Sequence, residues 1–285
     1  MKQKVGVVGC GLMGAGIVEV CIRSGHPTVV REVTQDFLDR GVKRIDDSME
    51  RAIQRGKLTQ GERDAARARL TPTTDLGALG DCDIVIEAIT EDRAAKAELW
   101  RAIAQVARKG ALRATNTSSI PLSSLAPYTG DPERFMGLHF MNPVPVMKLV
   151  ELVRGIESTD ATVAEGRAFV EGLGKTTILA KDTPGFVINV LLVPYLCEGV
   201  RLLEAGVATK EDIDQGMKLG CNMPMGPIEL LDFVGLDTTL AIAEVLHGEF
   251  GDPKYAPPPL LRRMVESGFM GKKCGRGFYD YRGAK

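Results

Sequence analysis

The amino terminus runs Lys4-Val5-Gly6-Val7-Val8 into Gly9-Cys10-Gly11-Leu12-Met13-Gly14, continues as an amphipathic segment to about Ser24, and resumes at Thr28-Val29-Val30-Arg31-Glu32. Strand, tight glycine turn, helix and second strand make a βαβ unit, which commits a chain to parallel strands with helices on the sheet faces. The alternation goes on. Asp83-Ile84-Val85-Ile86-Glu87-Ala88-Ile89 reads as a buried parallel strand, and a helix follows over about 92–109. Short strands recur near 111–114, 135–140 and 149–153, and a helix over 160–173 leads to a strand over 176–180.

The expected fold class is therefore α/β, a Rossmann-type, doubly wound, mainly parallel sheet. A charged segment at about 34–70, broken by Gly56 and Gly61, reads as a helical hairpin inserted into the sheet order. The pattern stops at Asp182-Thr183-Pro184-Gly185, which divides the chain into 1–184 and an all-helical 185–285. Helices are expected over 186–204, 209–219, 228–234 and 238–246, with Pro194 interrupting the first. Apolar residues such as Val187, Leu191 and Tyr195 recur there at helical spacing, more than one packed face would bury. A homodimer through this second domain is the inference.

The glycine turn also points to a ligand. Gly9, Gly11 and Gly14 let a backbone, with Leu12 and Met13, approach a pyrophosphate over a helix amino terminus. Glu32, closing the second strand, stands where an acid meets the adenosine ribose hydroxyls of NAD.

A second constellation carries the chemistry. In the strand-like run from Arg134 to Val153, His139 lies between Leu138 and Phe140, and Glu151 between Val150 and Leu152. A carboxylate in such surroundings costs several kcal/mol unless it is paired, so it predicts a partner. The chain has 3 histidines, and His139 is the nearest candidate. A buried carboxylate beside an imidazole is the arrangement general acid–base catalysis uses. The hydroxyl-rich turn Thr115-Asn116-Thr117-Ser118-Ser119 and Asn189, alone in an apolar run, join these as inward polar residues.

Composition excludes several other classes. With 44% hydrophobic and 26% charged residues and a net charge of −1, there is no basic field for nucleic acid or anionic membrane. No apolar stretch reaches membrane-spanning length, and no targeting segment precedes the first strand, so a cytoplasmic location is expected. The 6 cysteines show no metal-like spacing; they read as reduced packing residues, and no metal is expected.

These motifs together resemble the 3-hydroxyacyl-CoA dehydrogenase family, and in length the single-function bacterial 3-hydroxybutyryl-CoA dehydrogenases. The resemblance spans the chain: GCGLMGAGI, NTSSIP, GLHFMNPVPVMKLVELV, KDTPGFVIN, MGPIELLDFVGLD and GKKCGRGFYDY. It implies NAD-dependent oxidation of (S)-3-hydroxyacyl-CoA, short-chain substrates such as 3-hydroxybutyryl-CoA, and a setting in fatty-acid β-oxidation. It makes His139 the base, Glu151 its orienting partner, Ser118 a hydrogen-bond donor to the reacting oxygen and Asn189 a holder of the acyl group. It places Glu91, Lys96, Ser118 and Asn142 toward the nicotinamide end of the cofactor, and Arg51, Arg55 and Lys57 toward the CoA phosphates. Two departures stand out, Val190 where the family usually has Arg and Glu32 where it more often has Asp. Open alternatives are a same-fold, gulonate-type dehydrogenase of a free hydroxy or sugar acid, and a catalytically silent NAD-binding structural protein.

Glu32 yields a first prediction. A carboxylate there accepts from a ribose diol and repels a 2′-phosphate, so kcat/KM with NADH should exceed that with NADPH. Glu32→Ala should narrow the preference without abolishing turnover, whereas equal use of both cofactors by the wild type would mean that Arg31 dominates.

Overall fold

A computed structural model describes residues 2–283. The chain divides into two compact units, Met1–Thr183 and Pro184–Lys285.

The first unit is built on an eight-stranded sheet, β1 (Val5–Val8), β2 (Thr28–Arg31), β3 (Leu70–Thr73), β4 (Ile84–Glu87), β5 (Leu112–Thr115), β6 (Phe135–Phe140), β7 (Leu149–Arg154) and β8 (Thr176–Lys181). Its order is β3-β2-β1-β4-β5-β6-β7-β8. All neighbours are parallel except β6 and β7. That exception follows from length: only a short loop joins β6 to β7, and parallel strands need a longer crossover. Helices α1 (Leu12–Arg23), α4 (Arg93–Val106) and α5 (Asp160–Gly172) supply crossovers. Strand order reverses between β1 and β4, the switch point at which such sheets open a crevice beyond their carboxyl ends. The core is apolar on both faces of the sheet, with Ile17, Ile22, Ile84, Ile86, Leu138 and Leu152 excluded from solvent.

The inserted hairpin consists of α2 (Gln35–Gln54) and α3 (Gln60–Arg67). Leu38, Gly41, Ile45 and Met49 form the buried stripe of α2 at helical spacing. One expectation is corrected here. The break lies between Gln54 and Gln60, because the Thr59–Glu62 capping box starts α3 and leaves Gly61 inside it. Where the hairpin was expected to end, the chain enters β3, a strand unread in the sequence, at the sheet edge, whose Pro72 pairs in register with Val30.

The second unit is helical: α6 (Ile188–Glu204), α7 (Lys210–Gly220), α8 (Pro227–Val234), α9 (Leu236–Phe250) and α10 (Pro259–Glu266). Helix α6 begins later than expected, since Phe186 has a left-handed φ of 52°. Helix α10, opened by prolines, went unread in the sequence. Buried Asp232 on α8 accepts from the Phe278 and Tyr279 amides, at 2.8 Å each, and from the Tyr281 hydroxyl at 3.1 Å. Asp214 accepts from the Ile228 and Glu229 amides at the start of α8 and from the Tyr279 hydroxyl. These two aspartates fasten the carboxy-terminal segment FYDY to the helical core. No helix among the described residues is long and apolar enough to cross a membrane.

Candidate active site

Three groups of side chains lie along the carboxyl edge of the sheet in the first unit. The glycine turn comes first. Gly9 follows β1 with φ 97°, a conformation that side chains oppose, and a Cβ on Gly14 would collide with the Gly9 carbonyl. Gly11 caps α1 with no side-chain hydrogen bond and with open space beyond its Cα, so the helix amino terminus keeps an unfilled cradle for an anion. Leu12 is exposed and Met13 half-buried beside it. Glu32 reaches the same turn from the end of β2, accepting from the Cys10 amide at 2.6 Å and the Val33 amide at 3.0 Å. Each carboxylate oxygen has a second lone pair for a ribose hydroxyl. The Cys10 carbonyl accepts from Arg44 at 3.2 Å, so both sides of the turn are held. Burial first, then the Glu32 charge, pushes the Cys10 thiol up to about 12. These residues fit a dinucleotide.

The second group follows β4. Lys96 on α4 is 1% exposed and meets Glu87, which is fully buried, at 2.6 Å and Glu91 at 3.4 Å. Removing one partner of such a buried pair costs roughly 3–5 kcal/mol, because the other charge is left uncompensated. Glu91 Oε1 in turn accepts from the Thr117 hydroxyl (2.6 Å), the Ser118 amide (2.8 Å) and the Ser119 amide (3.1 Å), with the Ser118 and Ser119 hydroxyls at 3.2 and 3.1 Å. Burial would raise the Glu91 carboxyl, but the Lys96 ammonium and these donors outweigh it and hold it below the ordinary range. The loop therefore keeps its anionic anchor until the pH falls through that lowered value.

The third group is the histidine pair. His139 on β6 and Glu151 on β7 stand opposite each other in the antiparallel register, so their side chains share one face. The His139 Nδ1–H donates to Glu151 Oε2 at 2.6 Å. Glu151 is fully buried and His139 only 7% exposed. A charge-assisted bond of this length fixes the ring, and Nε2 is then the nitrogen that carries the lone pair. Asn116 ties this pair to the second group: its side-chain carbonyl accepts from the Phe140 amide, next to His139, at 3.0 Å.

Residues expected at the site thus fall into sets. Gly9, Gly11, Gly14 and Glu32 come together, as do Glu91, Lys96 and Ser118, and His139 with Glu151. Asn142, in a cis peptide with Pro143, lines a cleft that also includes Leu12, Arg44, Ser48 and Arg51. Arg55 and Lys57 are exposed at the hairpin bend. Asn189 belongs to the second unit, buried at the start of α6, its amide donating to the Gly185 carbonyl at 3.1 Å. Val190, beside it, packs against the helical core. Sequence reasoning missed Glu87, and it named Asn116 in the polar turn without assigning its contact beside His139. For Glu87 a signal existed, since it ends the apolar run Ile84-Val85-Ile86 much as Glu151 interrupts its own.

A glycine turn at the switch point of a doubly wound sheet, with a histidine–carboxylate pair at a neighbouring strand end, defines a nucleotide-cofactor dehydrogenase. The chain belongs to the 3-hydroxyacyl-CoA dehydrogenase family: residues 4–183 match the family's NAD binding domain and 185–281 its C-terminal domain. A 3-hydroxybutyryl-CoA dehydrogenase of Mycobacterium tuberculosis is 50% identical over 281 residues, covering 98% of each chain. Among solved structures, M. tuberculosis FadB2 superposes with TM-score 0.96 at 49% identity, over 98% of this chain and 99% of that one. The (S)-3-hydroxybutyryl-CoA dehydrogenase PaaH1 of Ralstonia eutropha does so with TM-score 0.93 at 44% identity, over 99% of both.

The pair generates a prediction. Glu151→Gln nearly preserves shape but removes the charge that supports a protonated ring, so kcat should fall by about a hundred-fold or more. NADH binding, followed by fluorescence quenching, should be retained. A variant of wild-type rate would show that Glu151 is not coupled to the reaction.

Proposed function

We propose that this chain oxidises short-chain (S)-3-hydroxyacyl-CoA, such as 3-hydroxybutyryl-CoA, to the 3-ketoacyl-CoA with NAD, and catalyses the reverse. The observation that carries this reading is the buried 2.6 Å pair of His139 and Glu151 at the sheet's carboxyl edge in a chain of this family. When bound, NAD supplies the hydride acceptor. His139 takes the 3-hydroxyl proton on Nε2, and Glu151 balances the imidazolium so formed. The Ser118 hydroxyl, turning from Glu91 when substrate is bound, donates to the reacting oxygen, whose charge changes most during the step. The Asn189 side chain helps hold the acyl group. Glu91, held by the buried Lys96, orders the loop that bears Ser118, both lie near the nicotinamide ribose, and Asn142 adds a contact on the same side. Arg51, with Arg55 and Lys57 further along the hairpin, offers positive charge to the CoA phosphates.

A homodimer through the second unit belongs to the same proposal. Leu191, Leu219 and Phe233 are exposed apolar residues there, and covering them is favourable. A cytoplasmic setting suits a chain of this kind.

Dependence on CoA decides the substrate class. NADH oxidation with acetoacetyl-CoA should exceed that with free acetoacetate by orders of magnitude in kcat/KM, because remote binding of the handle orients the reacting carbon. Comparable values for the free acid would move the chain to a dehydrogenase of free hydroxy acids.

A further inference from the structure

We propose that Glu87 is a positioning residue of this enzyme, which holds the buried Lys96 ammonium and thereby aims Glu91 at the loop that carries Ser118. The inference rests on the reading of Ser118 given above.

Glu87 ends β4 at the switch point, paired through β4 with β1 on one side and β5 on the other. Both of its oxygens are committed. Oε1 accepts from Lys96 Nζ at 2.6 Å and from the Ile89 amide at 2.9 Å, and Oε2 accepts from the Thr115 hydroxyl at 2.7 Å. Thr115 in turn accepts from the Thr117 amide at 3.3 Å, so Glu87 grips the root of the same loop whose tip Glu91 holds.

The geometry of Lys96 is unequal, 2.6 Å to Glu87 against 3.4 Å to Glu91. Glu87 keeps the cation at the strand end, and Glu91 leans toward it with Oε2 alone while Oε1 faces the loop donors. Take away the charge on Glu87, and the nearest remaining anion for a buried ammonium is Glu91. Lys96 would then draw Glu91 off the loop. A residue that merely filled space at position 87 would serve as well when neutral; one that sets the balance between two carboxylates would not.

Glu87→Gln in the full-length protein tests this, since glutamine keeps the volume and can still bond Lys96 and Thr115. The readout is amide hydrogen exchange at Ser118 and Ser119, both bonded to Glu91, against Val7 and Val150 in the core strands. Exchange at 118 and 119 should quicken by about tenfold or more while the core amides stay unchanged. With acetoacetyl-CoA, kcat should fall by about tenfold at nearly constant KM, and adding Glu87→Gln to Ser118→Ala should lower kcat little further, as expected for residues acting through one another. Unchanged exchange at 118 and 119, or losses that simply multiply, would overturn the proposal. Should Glu87→Gln fail to fold, Glu87→Asp keeps a charge beside Lys96, which spares the fold, but withdraws it by one methylene and loosens its hold on the ammonium. Faster exchange at 118 and 119 is again expected, and wild-type protection there would refute the role. The exchange measurement needs no substrate, so inactivity of the wild type toward acyl-CoA would sink the proposed function without touching this test.

Discussion

Everything at the candidate site depends on carboxylates placed where a sheet has no water to offer them. Glu151 lies on β7 between β6 and β8, wholly excluded from solvent, and Glu87 ends β4 between β1 and β5. A charge so placed must be answered by a cation or by fixed donors, or the sheet loses several kcal/mol. Each of the two binds a specific partner: Glu151 binds the imidazole of His139, and Glu87 the ammonium of Lys96. The need for stability and the need for orientation are therefore met by the same contacts. An imidazole held by a buried anion is fixed in tautomer and direction before substrate arrives, which is the condition for efficient proton transfer.

Topology collects these pieces on one edge. The parallel strands β1, β4, β5 and β6 all deliver their carboxyl ends to the same side, so Gly9, Glu87, the loop after Thr115 and His139 arrive there from separate parts of the sequence. The antiparallel return of β7 brings Glu151 to the same edge from the opposite direction. A parallel β7 in its place would put the residue opposite His139 under a different register and require a long crossover. The short loop after β6, with Asn142 and Pro143, makes the antiparallel return possible.

Much of this was legible in the sequence because it rests on local pattern. Period, glycine spacing and the solitary charge in an apolar run are properties of neighbouring residues, and they exposed the βαβ start, the strand bearing His139 and the demand of Glu151 for a partner. What escaped depends on distant pairing. Strand β3, Leu-Thr-Pro-Thr, has neither alternation nor strong strand propensity; it is a strand because β2 offers it an edge, and an edge tolerates Pro72. Helix α10 hides behind Pro257-Pro258-Pro259, which reads as loop although proline suits a first helical turn. Lys96, near a helix start, has no local reason to be buried. Only the return of α4 over the end of β4 buries it, and no local spacing announces that.

The hydrogen-bond state of the His139 ring tests the central claim most directly. In protein labelled with 15N at histidine, long-range proton–nitrogen correlation spectra at mildly alkaline pH report which ring nitrogen is protonated, and a His139→Gln variant identifies the signal among the 3 histidines. If Glu151 holds the ring, His139 carries its proton on Nδ1 and presents the Nε2 lone pair in the wild type. A ring protonated at Nε2, or one that averages between tautomers, would contradict the fixed pair.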